Sequence, residues 1–174
     1  LLLETPETFK EKNNVTVKVK SNIVKINREK KTVLVKDLIT SREYEDSYDY
    51  LVLSPGAEPI KPSISGIDSP NIFTLRNIND MDKIIKYSEE HKIKKVAVIG
   101  AGFIGLEAAE NFLHKGKNVT IIEMGAQVLS PIDFEMASLL HSHITDKGVE
   151  LILKDGVEKF SYNGELTKIH LKSS

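Results

Sequence analysis

The 174-residue chain contains no cysteine. Disulfide staples, thiolate metal sites and a cysteine nucleophile are therefore excluded within it. It also lacks a bias of charge: 24 Lys and Arg face 25 Asp and Glu, for a formal net charge of −1. With both signs mixed along the chain, nothing favours nucleic acid or an acidic membrane surface as a partner. No apolar run approaches the ~20 residues that span a bilayer, and the first residues lack the basic region and cleavage site of a signal peptide. A cytoplasmic location is the expectation. There is no internal repeat and no low-complexity tract. What remains is ordinary for a globular protein, with 40% hydrophobic and 28% charged residues, and the length suits one domain or two small lobes. The chain opens on Leu1 and stops at Ser174 just after a strand-like run, so it reads as a piece of something longer.

The first third predicts a β-meander, because apolar and polar residues alternate with period two. Val15, Val17 and Val19 form one such run, followed by Ile23, Val24 and Ile26, and then by Val33, Leu34 and Val35. The charged stretch from residue 27 to 31 suits a hairpin turn. Residues 50–54 (YLVLS) are nearly all apolar and are stopped by Pro55 and Gly56, which predicts a buried central strand. Pro59, Pro62, Gly66 and Pro70 break any regular element over residues 58–70. A lobe boundary is expected there, dividing residues 1–70 from 71–174.

Beyond that segment helix and strand alternate. Asn79 or Asp80 can cap a helix whose Met81, Ile84 and Ile85 form an apolar stripe. A strand (residues 96–99), a glycine turn, a helix to about His114, a strand (119–122), a helix carrying Phe134, Ala137, Leu140 and Ile144 on one face, and a strand (149–153) follow. This order predicts an α/β fold with a parallel, Rossmann-like sheet and flanking helices. Asn163 and Gly164 then suit a tight closing hairpin.

The glycine turn carries chemistry. Gly100, Gly102 and Gly105 follow an all-apolar strand and open a helix, in the spacing G-x-G-x-x-G. Gly100 permits a sharp turn, Gly102 lets the backbone approach a pyrophosphate, and Gly105 lets the helix pack on the sheet. The helix N-terminus offers unpaired N–H groups and a partial positive charge to a diphosphate. Glu123 ends the second strand, eighteen residues after Gly105, where an acid accepts hydrogen bonds from both adenine-ribose hydroxyls. A 2′-phosphate would meet a like charge there, and residues 124–128 (MGAQV) supply no cation. NAD(H) is thus expected over NADP(H). A glycine-linked strand and helix without a ligand is the plain alternative. His141 and His143 lie on different faces of their helix and cannot converge on a metal, and none is expected.

With these motifs placed, the chain resembles the FAD-dependent pyridine nucleotide-disulfide oxidoreductases, in particular the branch of coenzyme A disulfide reductase, NADH oxidase and NADH peroxidase. The likeness runs through LLLETPETF, YDYLVLSPGAEP, FTLRNINDMDKI, VAVIGAGFIGLEAAE and VTIIEMGAQVL. It implies that residues 1–70 are the C-terminal part of a first FAD-domain segment and residues 71–174 an NAD(H)-binding domain truncated at its last strand. Ser54, Pro55, Gly56 and Ala57 match the segment that closes part of the FAD site, a simple Pro-Gly turn being the alternative. Ile23 falls loosely near the FAD adenine, with a core strand residue as the other reading. Phe103 stands where many relatives carry a tyrosine over the flavin, or else packs on the neighbouring lobe. Ile104 belongs to the same nucleotide-binding helix. Glu107 matches a carboxylate near the nicotinamide, or is a solvated helix residue. Val157 matches the adenine pocket, or ordinary packing.

The resemblance further implies that NADH passes a hydride to FAD and that electrons go on to a cysteine-based centre outside this chain, with a disulfide, peroxide or dioxygen as acceptor and a homodimeric parent. The chain alone is then expected to bind NADH without turning over. Two other readings stay open: a flavin-linked reductase serving an iron–sulfur protein or dioxygen, and a non-catalytic NADH-sensing module.

Overall fold

The computed structural model describes residues 4–173 and falls into two compact units, Leu1–Gly56 and Ala57–Ser174. The leading leucines of the LLLETPETF stretch lie outside the described residues.

In the first unit the chain begins with a short helix that alternation does not signal, α1 (Pro6–Asn13). Its start is a local device: Thr5 accepts from the Thr8 N–H while Thr8 reaches back to the Thr5 backbone, and Pro6 takes the first helical position. Asn14 ends it in the left-handed region at φ 54°. Three antiparallel strands follow in the order β1 (Ser21–Asn27), β2 (Thr32–Asp37) and β3 (Glu43–Ser47). The β1–β2 turn lies where the charged stretch predicts it, with Asn27 Oδ1 accepting the Lys30 N–H at 3.0 Å. Val33 and Val35, alternate residues of β2, are the buried apolar side chains of this unit.

Two of the expected strands are absent. Val15, Val17 and Val19 are exposed and outside any strand, and that segment is held to the sheet through Lys18, whose ammonium meets the Asp46 carboxylate at 2.5 Å beside the Tyr44 ring. Residues 50–53 are likewise not a strand: Tyr50 is 94% and Val52 85% exposed. An all-apolar strand requires neighbours on both edges and both faces, and among the described residues none takes that place. The missed β3 is the converse. Its sequence EYEDS is polar, but its backbone groups pair with β2 from Thr32↔Ser47 to Lys36↔Glu43.

In the second unit the proline-rich segment is irregular as expected, yet it is tied down. The Phe160 N–H donates to the Ser65 carbonyl at 2.8 Å, and Gly66, at φ 80°, lies so close to Phe160 that a Cβ would overlap its carbonyl oxygen. Helix α2 (Ile78–Glu90) starts one turn earlier than the apolar stripe suggests. Its cap is Asn77, which accepts from the Asp80 N–H while the Asp80 carboxylate returns to the Asn77 backbone. Asp80 is thus the third helical residue and not the cap, and Asn79 is inside the helix.

The parallel sheet has the order β4 (Lys95–Ile99), β5 (Asn118–Ile122) and β6 (Glu150–Ile152). Helix α3 (Phe103–His114) connects the first two and α4 (Phe134–Asp146) the last two. Register partners Val98, Ile121 and Leu151 share one face and join Val119 in a core with Ala109 and Leu113 of α3 and Leu140 and Ile144 of α4. Both crossover helices therefore cover the same face. Phe134, expected on the apolar stripe of α4, is exposed, while Ala137 beside it is fully buried. The hairpin β7 (Val157–Tyr162) and β8 (Thr167–Leu171) closes the unit. Its loop has four residues, so the tight two-residue turn is not formed. Gly164 takes positive φ, and Asn163 works through its side chain, which accepts the Glu165 and Leu166 N–H groups. Among the described residues no helix is long and apolar enough to cross a membrane.

Between β6 and β7 the buried Asp155 carboxylate accepts from the Ser173 hydroxyl, the Ser173 N–H and the Gly156 N–H. The Ser173 hydroxyl first, then the backbone N–H groups, hold its carboxyl below the ordinary 3.8 against the upward push of burial. A depressed folded pKa contributes stability that is present above 3.8 and is lost as pH falls towards the folded value. The stability gap between wild type and Asp155→Asn, measured by urea unfolding, should thus be full at pH 7 and close as pH drops below 3.8. Gly66→Ala should cost about 2 kcal/mol or more by the same measurement, since it adds overlap to an unfavourable φ. Gly148→Ala, at φ 85° with open space around it, should show only the φ cost of about 1 kcal/mol.

Candidate dinucleotide-binding site

Strand β4 ends at Ile99, and the chain turns at Gly100, whose φ of 100° is strained for any other residue. The Gly100 N–H still joins the sheet, donating to the Ile122 carbonyl at 2.8 Å. Gly102 is the N-cap of α3 and carries no side-chain cap. The first bond within the helix runs from the Leu106 N–H to the Gly102 carbonyl at 3.0 Å. The N–H groups of Phe103, Ile104 and Gly105 thus face outward without helical acceptors. Space around Gly102 is open, with nothing within 4 Å of a Cβ placed there. Gly105 is the opposite case: a Cβ would overlap the Gly100 carbonyl oxygen, so the helix sits on the strand end by direct backbone approach. Open donors above Gly102 and a closely seated helix below it are what a diphosphate needs.

Glu123 follows β5, and its own N–H donates to the Ile152 carbonyl at 2.8 Å, which anchors it to β6. Its carboxylate reaches back over the turn. Oε2 accepts the Ala101 N–H at 2.8 Å and Oε1 the Gly125 N–H at 2.6 Å. An ionised carboxylate offers about four acceptor positions, so two are left for a ribose diol. The residues present therefore fit the adenosine diphosphate half of a dinucleotide.

Other candidates are placed as follows. Phe103 is 68% exposed, Ile104 is exposed, and Glu107, one turn on, shares the face of Phe103 and is also exposed. Val157 is buried at the start of β7, opposite Leu171. Ser54, Pro55, Gly56 and Ala57 are exposed, with Gly56 at φ 74°. Ile23 is paired with Val35 but half exposed, so it is not a core residue. His141 is drawn away from His143: its Nε2 accepts the Val128 N–H at 3.1 Å. Among the described residues no cluster of His, Cys, Asp or Glu could hold a metal ion. Two surface hollows, one lined by Ile85, Ser88 and Phe112 and one by Asp37, Arg42 and Tyr44, include no residue of the glycine turn.

Three participants escape linear inspection. The Ala101 backbone N–H is one. Lys154 is another, since its N–H donates to the Gly125 carbonyl at 2.9 Å and braces the loop after Glu123. Lys172 is the third: its Cδ and Cε lie 3.6 Å from where a Cβ on Gly156 would be, as does Cγ of Met124. Lys172 and Met124 thus both border Gly156. Only the Asp-Gly pair at 155 and 156, directly after a strand, marks this region in the sequence.

Residues 3–174 match the family described as pyridine nucleotide-disulphide oxidoreductase. An NADH oxidase of Methanocaldococcus jannaschii is 36% identical over 91% of this chain and 36% of its own length. A coenzyme A disulfide reductase of Staphylococcus haemolyticus is 37% identical over 88% of this chain and 34% of its own. The chain thus spans about a third of the length of these curated relatives. Among solved structures, the reduced CoADR-RHD of Bacillus anthracis superposes with a TM-score of 0.91 at 45% identity, covering 99% of this chain and 31% of that one. A glycine turn open to a diphosphate, an acid at the end of the next strand, and a match along nearly the whole chain agree: the protein belongs to the pyridine nucleotide-disulphide oxidoreductase family.

Proposed function

We propose that this chain is the NADH-binding portion of a flavin-dependent oxidoreductase, and that residues 96–123 hold the adenosine diphosphate half of the coenzyme. The carrying observation is the pairing of outward N–H groups at the start of α3 with the Glu123 carboxylate across the turn. Gly102 lets the diphosphate reach those N–H groups, Gly105 seats the helix, and Glu123 receives the ribose hydroxyls. Val157 lines the adenine side. Phe103 and Glu107, exposed on one helical face with Ile104 beside them, are positioned for the nicotinamide end. When bound, NADH supplies a hydride to FAD, with electrons continuing to a cysteine-based centre outside this chain.

Residues 1–70 are assigned to the flavin lobe, with Ser54, Pro55, Gly56 and Ala57 contributing part of the FAD site. The chain holds one G-x-G-x-x-G turn, so FAD would take its diphosphate contacts from residues other than these. The names of the two curated relatives, an NADH oxidase and a coenzyme A disulfide reductase, support a disulfide or dioxygen as terminal acceptor; a cytoplasmic, homodimeric parent is part of the same proposal.

Glu123 favours NADH, because a 2′-phosphate would approach a carboxylate. Calorimetric titration of the chain with both coenzymes should give NADH the tighter dissociation constant by about tenfold or more, equivalent to about 1.4 kcal/mol. NADPH binding as tight or tighter would overturn the assignment of Glu123. In the FAD-loaded parent, addition of NADH should bleach the flavin absorbance. Bound dinucleotide with unchanged flavin bands would favour the sensing module instead.

A further inference from the structure

Resting on the nucleotide reading above, we infer that Glu123 is a positioning residue for the diphosphate turn as well as a ribose acceptor: its carboxylate clasps the Ala101 and Gly125 N–H groups and so sets the shape in which the turn receives a diphosphate. Ala101 lies between Gly100 and Gly102 and is 1% exposed, so its N–H has left water for the Oε2 acceptor at 2.8 Å. Oε1 takes the Gly125 N–H at 2.6 Å on the other side. One side chain therefore joins the end of β4 to the loop after β5 by two charge-assisted bonds, stronger than neutral ones. The neighbours conform to this arrangement. The Ala101 carbonyl accepts the Leu129 N–H at 2.9 Å, fixing the other side of the same peptide stretch. A Cβ on Gly125 would stand 3.0 Å from Glu123 Oε1, so a side chain there would press directly on the carboxylate.

The chemistry demands a carboxylate even before a coenzyme arrives. Two N–H donors converge on the two oxygens, whereas an amide has one oxygen and would turn its NH2 donor towards one of the N–H groups. Removing the charge of Glu123 should therefore not simply relax selectivity towards a 2′-phosphate. It should loosen the turn that both NADH and NADPH use.

A cycle with NADH and its 2′,3′-dideoxyadenosine analogue separates the two roles. If Glu123 acts through the ribose alone, Glu123→Gln weakens NADH and leaves the dideoxy analogue unaffected, which would overturn the inference. If it clasps the turn, the analogue is also weakened, by about tenfold. Amide hydrogen exchange on the ligand-free chain gives an independent readout. Protection of the Ala101 and Gly125 amides should fall by about tenfold or more in Glu123→Gln, and partly recover in Glu123→Asp, which keeps two acceptors. Unchanged protection in both variants also overturns the clasp. Should the wild-type chain bind neither dinucleotide, the nucleotide reading fails on its own account and the exchange measurement still decides the clasp.

Discussion

The direct seating of one backbone on another at Gly100 and Gly105 organises the second unit. Without a Cβ at position 105, α3 begins against the carbonyl that ends β4, and everything downstream inherits that placement. Leu106 and Ala109 fall on the sheet where Val98 and Ile121 wait, so the apolar core closes around the same contact. The unpaired N–H groups of the first turn are left at the rim of the sheet and outside the core. Stability and binding capacity thus share an origin: the contact that lets the helix pack also aims its positive end at solvent.

The second unit was largely legible because its signals are local and repeated. Residues 96–99 and 119–122 are apolar throughout, as strands of a parallel sheet must be, and the glycines between strand and helix have few alternative uses. The cap of α2 was displaced for a reason visible only in three dimensions. Asn77, Asn79 and Asp80 are all good caps by composition, and the choice fell to the pair spaced three apart that can satisfy each other's backbone. The hairpin at Asn163 shows the same limit. The dipeptide marked a turn correctly, but its length followed from Asn163 accepting two N–H groups, not from paired positive φ.

The first unit was less legible, because alternation describes a surface that a strand could bury and does not say that a neighbour exists. Val15, Val17 and Val19 alternate as well as Val33 and Val35 do, yet only the latter pair is buried. Conversely β3, with hardly an apolar residue, is a strand because β2 lies beside it. At the candidate site, the Glu123 position followed from spacing, whereas its backbone partners did not, since a main-chain N–H has no letter of its own. Lys172 was invisible for a related reason: it enters only by way of the β7–β8 hairpin.

The exposed run at residues 50–53 bears on how these residues behave in company. Tyr50, Leu51, Val52 and Leu53 present large apolar side chains to water on a backbone that belongs to no sheet among the described residues. Clustered exposed apolar side chains of this kind are an aggregation liability, and this cluster sits at a stretch remote in sequence from the glycine turn.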